Sequence, residues 1–210
     1  MISQERIIIC GTNGTGKSTY SNALIDASLK AKANKKALAV LPDDSEPIFF
    51  PYTELQRSHL RNLHNISSRK NKIYFDNAKI FDDILHYFRN GILILDDARF
   101  YSGSIDEPLK RLFIRSRQNN IHIVFICHGL SEIPPSLLTF STKLVLFNTV
   151  DSWQRLKQKI PSPAKFELLV NNVRSKANDH KQDCPYINRS KCTCGASYYK
   201  KVIDLKRDLL

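Results

Sequence analysis

The chain has 210 residues, the length of one domain plus a small appendage, and its 42% hydrophobic and 25% charged residues exclude general disorder. Its 32 Lys and Arg against 20 Asp and Glu leave a net charge of +12, a surplus that predicts a polyanionic partner, either nucleic acid or an anionic membrane surface. No apolar stretch approaches the roughly 20 residues that span a bilayer, the opening MISQERIIICGT is unlike a signal peptide, and an odd number of cysteines, five, points to a reduced cytosolic protein.

In chain order the pattern reads β-α-β, a mixed stretch, then α-β-α-β-α-β. Arg6–Cys10 is expected as a short strand, Lys17–Ala33 as a helix with Lys toward its C-terminal end, and Ala37–Leu41 as a strand stopped by Pro42. Residues 42–72 hold Pro42, Pro47, Pro51 and Ser67-Ser68, and read as an excursion lying over the core. A strand over Lys72–Phe75 and a helix over Ile80–Arg89 follow. Ile92–Leu95 and Ile121–Cys127 are continuous apolar strands, with a helix over Leu109–Arg117 between them. Leu130–Thr139 admits a short helix beginning at Pro134-Pro135, and Thr142–Phe147 is another strand. Trp153–Lys159 reads as a short helix and Phe166–Val170 as a late strand. Strands apolar on both faces and alternating with helices imply an α/β fold, a mainly parallel sheet covered by helices.

The segment Gly11-Thr12-Asn13-Gly14-Thr15-Gly16-Lys17-Ser18 fits G-x-x-x-x-G-K-[ST], with an apolar strand before it and a helix after it. Its glycines let the backbone curl so that N–H groups point at phosphate oxygens, and the helix start adds its positive dipole end. Lys17 then supplies a cation to the β- and γ-phosphates, Ser18 a hydroxyl for Mg²⁺, and Thr19 completes the cradle. The reading is a nucleoside triphosphate site, with ATP and Mg²⁺ as its ligands. Asp96-Asp97 closes the strand Ile92–Leu95 at the end where open α/β sheets bind ligands. Asp96 is expected to hold the metal through its water shell and Asp97 to orient or deprotonate water. Alone, the pair would read as a strand end capping the next turn. His128 ends the next apolar strand and would face the γ-phosphate if that strand neighbours the one bearing Asp96. Arg115 and Arg117 precede the same strand at its opposite end, placed either as solvated helix-end residues or as an arginine finger for a neighbouring subunit.

GTNGTGKS, ILILDDAR, and RSRQNNIHIVFICHGLSEIPPSLL followed by TKLVLF resemble the FtsK–HerA superfamily of P-loop ATPases. Within it, the likeness is to the compact genome-packaging ATPases of membrane-containing icosahedral viruses, and it covers roughly residues 5–150. The resemblance implies Lys17 and Ser18 as nucleotide and Mg²⁺ contacts, Asp96 as the metal-associated acid and Asp97 as the catalytic acid. It further implies His128 as the sensor and Arg117, with Arg115 second, as the finger acting in trans. Two positions depart from the family pattern: Asp97 stands where Glu is commoner, and His128 where an amide is usual. A homo-oligomeric ring, a hexamer, that threads DNA through a basic channel is the implied machine. A capsid or membrane-vertex protein is its implied docking partner, and the host cytoplasm or the virion its place.

Residues 151–210 hold 13 Lys and Arg against 6 Asp and Glu, more than half of the net charge. His180, Cys184, Cys192 and Cys194 lie within 15 residues, a set that suits either a closed structural zinc site or free thiols. Lys181, Arg189, Lys191, Lys200 and Lys201 interleave with Tyr186, Tyr198 and Tyr199, a mixture suited to nucleic acid, though also to a solubilising tail. The expected division is a P-loop core over 1–160 and a basic Cys/His module over 161–210. The leading function is an ATP-driven DNA translocase. Two others stay open: a nucleoside or nucleotide kinase with a zinc-bearing lid, and a zinc-containing DNA-binding protein gated by nucleotide.

Overall fold

A computed structural model of the chain describes residues 4–32, 35–97, 106–183 and 199–209. Among the described residues, eight strands form one sheet: β1 (Arg6–Cys10), β2 (Ala37–Leu41), β3 (Thr53–Glu54), β4 (Lys70–Tyr74), β5 (Ile92–Leu95), β6 (His122–Cys127), β7 (Lys143–Phe147) and β8 (Lys200–Asp204). Five α-helices accompany them: α1 (Lys17–Ala31), α2 (Lys79–Tyr87), α3 (Asp106–Arg115), α4 (Pro135–Phe140) and α5 (Pro163–Asp183). The sheet order is β3-β4-β2-β5-β6-β1-β7-β8, and every pairing is parallel except β7 with β8.

β1, β2 and β5 are buried along their whole length, as their unbroken Ile, Leu, Val and Ala runs require. Alternation along each strand sends side chains into two separate layers. Ile7 and Ile9 join Ile25 and Leu29 of α1 on one face, with Phe49 and Tyr52 of the 42–69 excursion. Ile8 and Cys10 join the larger layer on the other face, which is built with α2, α3, α4 and α5. The excursion is therefore part of the core's cover: Phe49, Tyr52, Leu55, Leu60 and Leu63 are all buried.

Several boundaries move by one to three residues, among them β4, which starts at Lys70, and α3, which ends at Arg115. The short helix expected over Trp153–Lys159 is present as a 3-10 helix over Gln154–Lys159. One element changes type. Phe166–Val170 lies inside helix α5, where Phe166, Val170, Val173 and Ala177 are buried at helical spacing. A strand would have put Leu168 on the same face as Phe166 and Val170, yet Leu168 is 71% exposed. Segment 161–210 also contributes β8, which extends the sheet beyond β7, and buries Phe166, Val170, Ile203 and Leu209 in the core shared with residues 4–160. Cys184, Cys192 and Cys194 lie outside the described residues, as do Tyr186, Arg189, Lys191 and Tyr198, while the side chains of His180 and Lys181 are undescribed.

Candidate nucleotide site

Parallel strands bring their carboxyl ends to one rim, so the loops after β1, β2, β5, β6 and β7 meet there. The loop between β1 and α1 crosses the end of β6 and β7. Gly11 N–H donates to the Cys127 carbonyl at 3.3 Å and Thr12 N–H to the Asn148 carbonyl at 2.9 Å. Gly11 has no room for a side chain, because a Cβ there would stand 2.5 Å from Cβ of Phe147. Gly14 (φ 73°) and Gly16 (φ 92°) occupy the left-handed region that glycine enters without strain. No side chain caps the start of α1 and its first turn holds no acid, which leaves the dipole end to an anion.

Lys17 is 5% exposed, and its ammonium donates to the Thr12 carbonyl at 3.0 Å. Burial lowers its pKa, against the pull of Cys127, Cys10, Asp96 and Glu46. The Ser18 hydroxyl donates to Oε2 of Glu46 at 3.3 Å. Asp96 is 6% exposed; burial, then the charges of Glu46 and Asp97, push its pKa up to about 7. Asn13, Gly14, Gly16, Lys17, Ser18, Thr19, Glu46, Asp96, Ile126 and His128 line one cavity of about 410 Å³. A larger hollow of about 580 Å³ lies between α5 and β8, away from these groups.

β6 does neighbour β5, so His128 stands beside the acidic pair. Its Nε2 is 3.9 Å from Oδ2 of Asp97, and its backbone N–H donates to the Glu132 carboxylate at 2.8 Å. Asp97 is itself buried and adopts φ 52°, a left-handed conformation that Asp tolerates better than most residues. Arg115 and Arg117 are exposed at the amino end of β6, a strand of six residues and therefore roughly 20 Å in length. Both are thus remote from their own subunit's cavity. Arg117 lies near enough to Arg6 to add to the lowering of its pKa that burial begins.

Sequence reasoning missed four residues. Glu46 sits in a Pro- and Asp-rich loop that reads as an ordinary turn. Glu132, Asp151 and Arg174 carry no motif, yet they form one chain of contacts behind His128. Arg174 of α5 donates to the carbonyls of Thr149 and Asp151, both at 2.7 Å, and the Asp151 carboxylate accepts from the Ser131 N–H at 2.5 Å. Burial would raise the Asp151 pKa, but hydrogen bonds from Ser131 and Thr149 hold it below the usual value.

A divalent cation fits the donor set, because the Ser18 hydroxyl and the Asp96 carboxyl supply hard oxygen beside one lysine. Among the described residues no three His, Cys, Asp or Glu side chains close into a metal cage. That openness suits a cation that completes its shell with phosphate oxygens and water. Among the described residues, no helix is long and apolar enough to cross a membrane.

Parallel sheet, curled glycine loop, loop lysine and strand-end acids define a P-loop NTPase fold. Solved structures with this architecture include the genome-packaging NTPase B204 of Sulfolobus turreted icosahedral virus 2. In complex with AMP it aligns with TM-score 0.63 and 14% identity over 99% of this chain and 96% of that one. Its sulfate complex gives TM-score 0.65 and 13% identity over 97% and 92%. B204 described as the DNA-packaging ATPase of Sulfolobus turreted icosahedral virus gives 0.60 and 14% over 98% and 95%. At such identity the likeness is one of fold. No family model matches the chain, and neither does any curated protein.

Proposed function

We propose that the protein is an ATP-hydrolysing motor that moves DNA, in the manner of a genome-packaging ATPase. The observation that carries this is the convergence of Lys17, Ser18, Asp96 and His128 on one cavity at the carboxyl rim of the sheet. The likeness in fold to B204, described as a DNA-packaging ATPase, supports the choice of DNA as cargo. Mg²⁺ would be held by Ser18 and Asp96, and would supply charge neutralisation on the transferring phosphate. The loop backbone and Lys17 bind and orient the triphosphate. His128, whose Nε2 lies 3.9 Å from the Asp97 carboxylate, stands at the γ-phosphate end and reports hydrolysis to the strands beyond.

Arg117, with Arg115 second, serves a neighbouring subunit's nucleotide, since both are about a strand length from their own. A homo-oligomeric ring, with six subunits as the favoured number, is the assembly in which such arginines would act. The basic C-terminal segment contacts DNA, and His180, Cys184, Cys192 and Cys194 hold a structural zinc, checked by elemental analysis of the purified chain. A capsid or vertex protein in the host cytoplasm or virion completes the machine.

The test is phosphate release from ATP, with and without DNA, at low and moderate salt. Stimulation by DNA that fades with salt is expected, and Lys17→Ala should reduce turnover at least a hundredfold. Turnover that ignores DNA and appears only when a nucleoside is added would replace the motor with a kinase.

A further inference from the structure

The inference below rests on the reading of the site as an ATP hydrolase. Two acids compete for the attacking water. Asp97 follows the metal-associated acid directly, but its carboxylate stands 3.9 Å from Nε2 of His128, and it is not among the residues that line the cavity. Glu46 does line the cavity, together with Lys17, Ser18, Asp96 and His128. We propose that Glu46 is the carboxylate that orients the attacking water and takes its proton.

Three further observations support this. First, the Glu46 side chain is committed to the cavity. It precedes the 3-10 turn Pro47–Phe49 and makes no capping bond to it. Its Oε2 instead accepts from the Ser18 hydroxyl at 3.3 Å. Second, its loop is anchored. Phe49 is 1% exposed and meets the Tyr52 ring edge-on at 5.2 Å, and the Tyr52 hydroxyl lies 3.5 Å from Oδ1 of Asn22 on α1, the helix that carries Ser18. Third, β2 pairs with β5 in register, and the Asp96 N–H donates to the Val40 carbonyl at 3.2 Å, so the loop after β2 overhangs Asp96.

The step balances simply. The water oxygen bonds to the γ-phosphorus as the bond from that phosphorus to the β,γ-bridging oxygen breaks. The water proton passes to Glu46 and from there to solvent, and ADP leaves with inorganic phosphate.

The experiment measures kcat and KM for ATP, affinity for a non-hydrolysable ATP analogue, and the thermal midpoint, all on the full chain and its variants. Glu46→Gln is expected to lower kcat at least a hundredfold, with analogue affinity within about threefold and an unchanged midpoint. Glu46→Asp, which keeps a shortened carboxylate, should turn over faster than Glu46→Gln, and this holds the comparison should the amide variant prove unstable. Glu46→Gln turning over within a fewfold of the unaltered chain, while Asp97→Asn is inactive, would overturn the assignment and return the role to Asp97. Equal loss of turnover and analogue affinity in Glu46→Gln would overturn it too, reducing Glu46 to a binding contact. If the unaltered chain releases no phosphate from ATP, the hydrolase reading itself falls, and this assignment falls with it.

Discussion

Asp96 shows how a single residue can be set by surroundings that the sequence does not display. Burial, reinforced by Glu46 and Asp97, lifts its carboxyl to about 7. The folded chain therefore holds a proton there that the unfolded chain gives up near the usual carboxylate value. Between those two values the folded state binds more protons, so stability of the nucleotide-free protein falls as pH rises toward and past 7. Asp96→Asn removes the penalty. It should raise stability by on the order of 2 kcal/mol at pH 8 and by almost nothing near pH 4, as read by urea denaturation at the two values. The Asp-Asp sequence at the end of an apolar run, together with the phosphate loop upstream, is enough to mark both acids as candidate site residues. The shift at Asp96 depends on Glu46, fifty positions upstream, and no local pattern announces such a neighbour.

At the scale of elements, α5 is where local pattern and tertiary context part. Phe166, Leu168 and Val170 alternate as a strand would, but the helix buries 166, 170, 173 and 177 instead. The two assignments make opposite demands on adjacent positions. Leu168→Asp should change stability by less than about 0.5 kcal/mol, whereas Val170→Asp should cost about 3 kcal/mol or more, measured by urea denaturation. The same helix reaches the site. Arg174 braces the carbonyls of residues 149 and 151, Asp151 holds the Ser131 turn, and Glu132 of that turn receives the His128 N–H. Arg174→Ala should lower stability by about 2 kcal/mol and reduce kcat more than analogue affinity, since what loosens is the seat of His128. A comparison of kcat with binding for that variant is the check. The relay's contacts from Arg174 to residues 149 and 151, and from Asp151 to Ser131, join residues 20 to 25 positions apart, and nothing in a polar arginine midway along a helix marks it beforehand.

For the whole molecule, the geometry of the sheet separates the two ends of β6: His128 at one end lines the chain's own cavity, and Arg117 is exposed at the other. If Arg117 serves a neighbour as proposed, Arg117→Ala and Lys17→Ala subunits, each inactive alone, should regain ATPase activity when mixed, because the unaltered arginine of one completes the nucleotide site of the other. No recovery on mixing would mean that the arginine serves its own subunit, and an Arg117→Ala chain fully active alone would mean that it serves neither; phosphate release from each chain and from the mixture distinguishes these outcomes. The +12 charge takes on position as well. More than half of it lies in residues 151–210, which also supply α5 and β8 to the folded core.

What the sequence determined by itself is whatever short-range physics encodes. Short continuous apolar runs bounded by turn residues read as buried strands, and the strand–glycine loop–helix succession reads as a cradle for an anion, so β1, β2, β5 and β6, the glycine loop and the strand-end acids were legible from residue order. Tertiary structure decided what depends on residues far apart in the chain. The order of strands placed His128 beside Asp97, the fold of the 42–69 excursion carried Glu46 onto Ser18, and the packing of α5 turned an apparent strand into the helix that braces the loops after β6 and β7. Periodicity along the chain reports which face of an element is buried. It is silent on which neighbour does the burying, and the chemistry of this site is set by its neighbours.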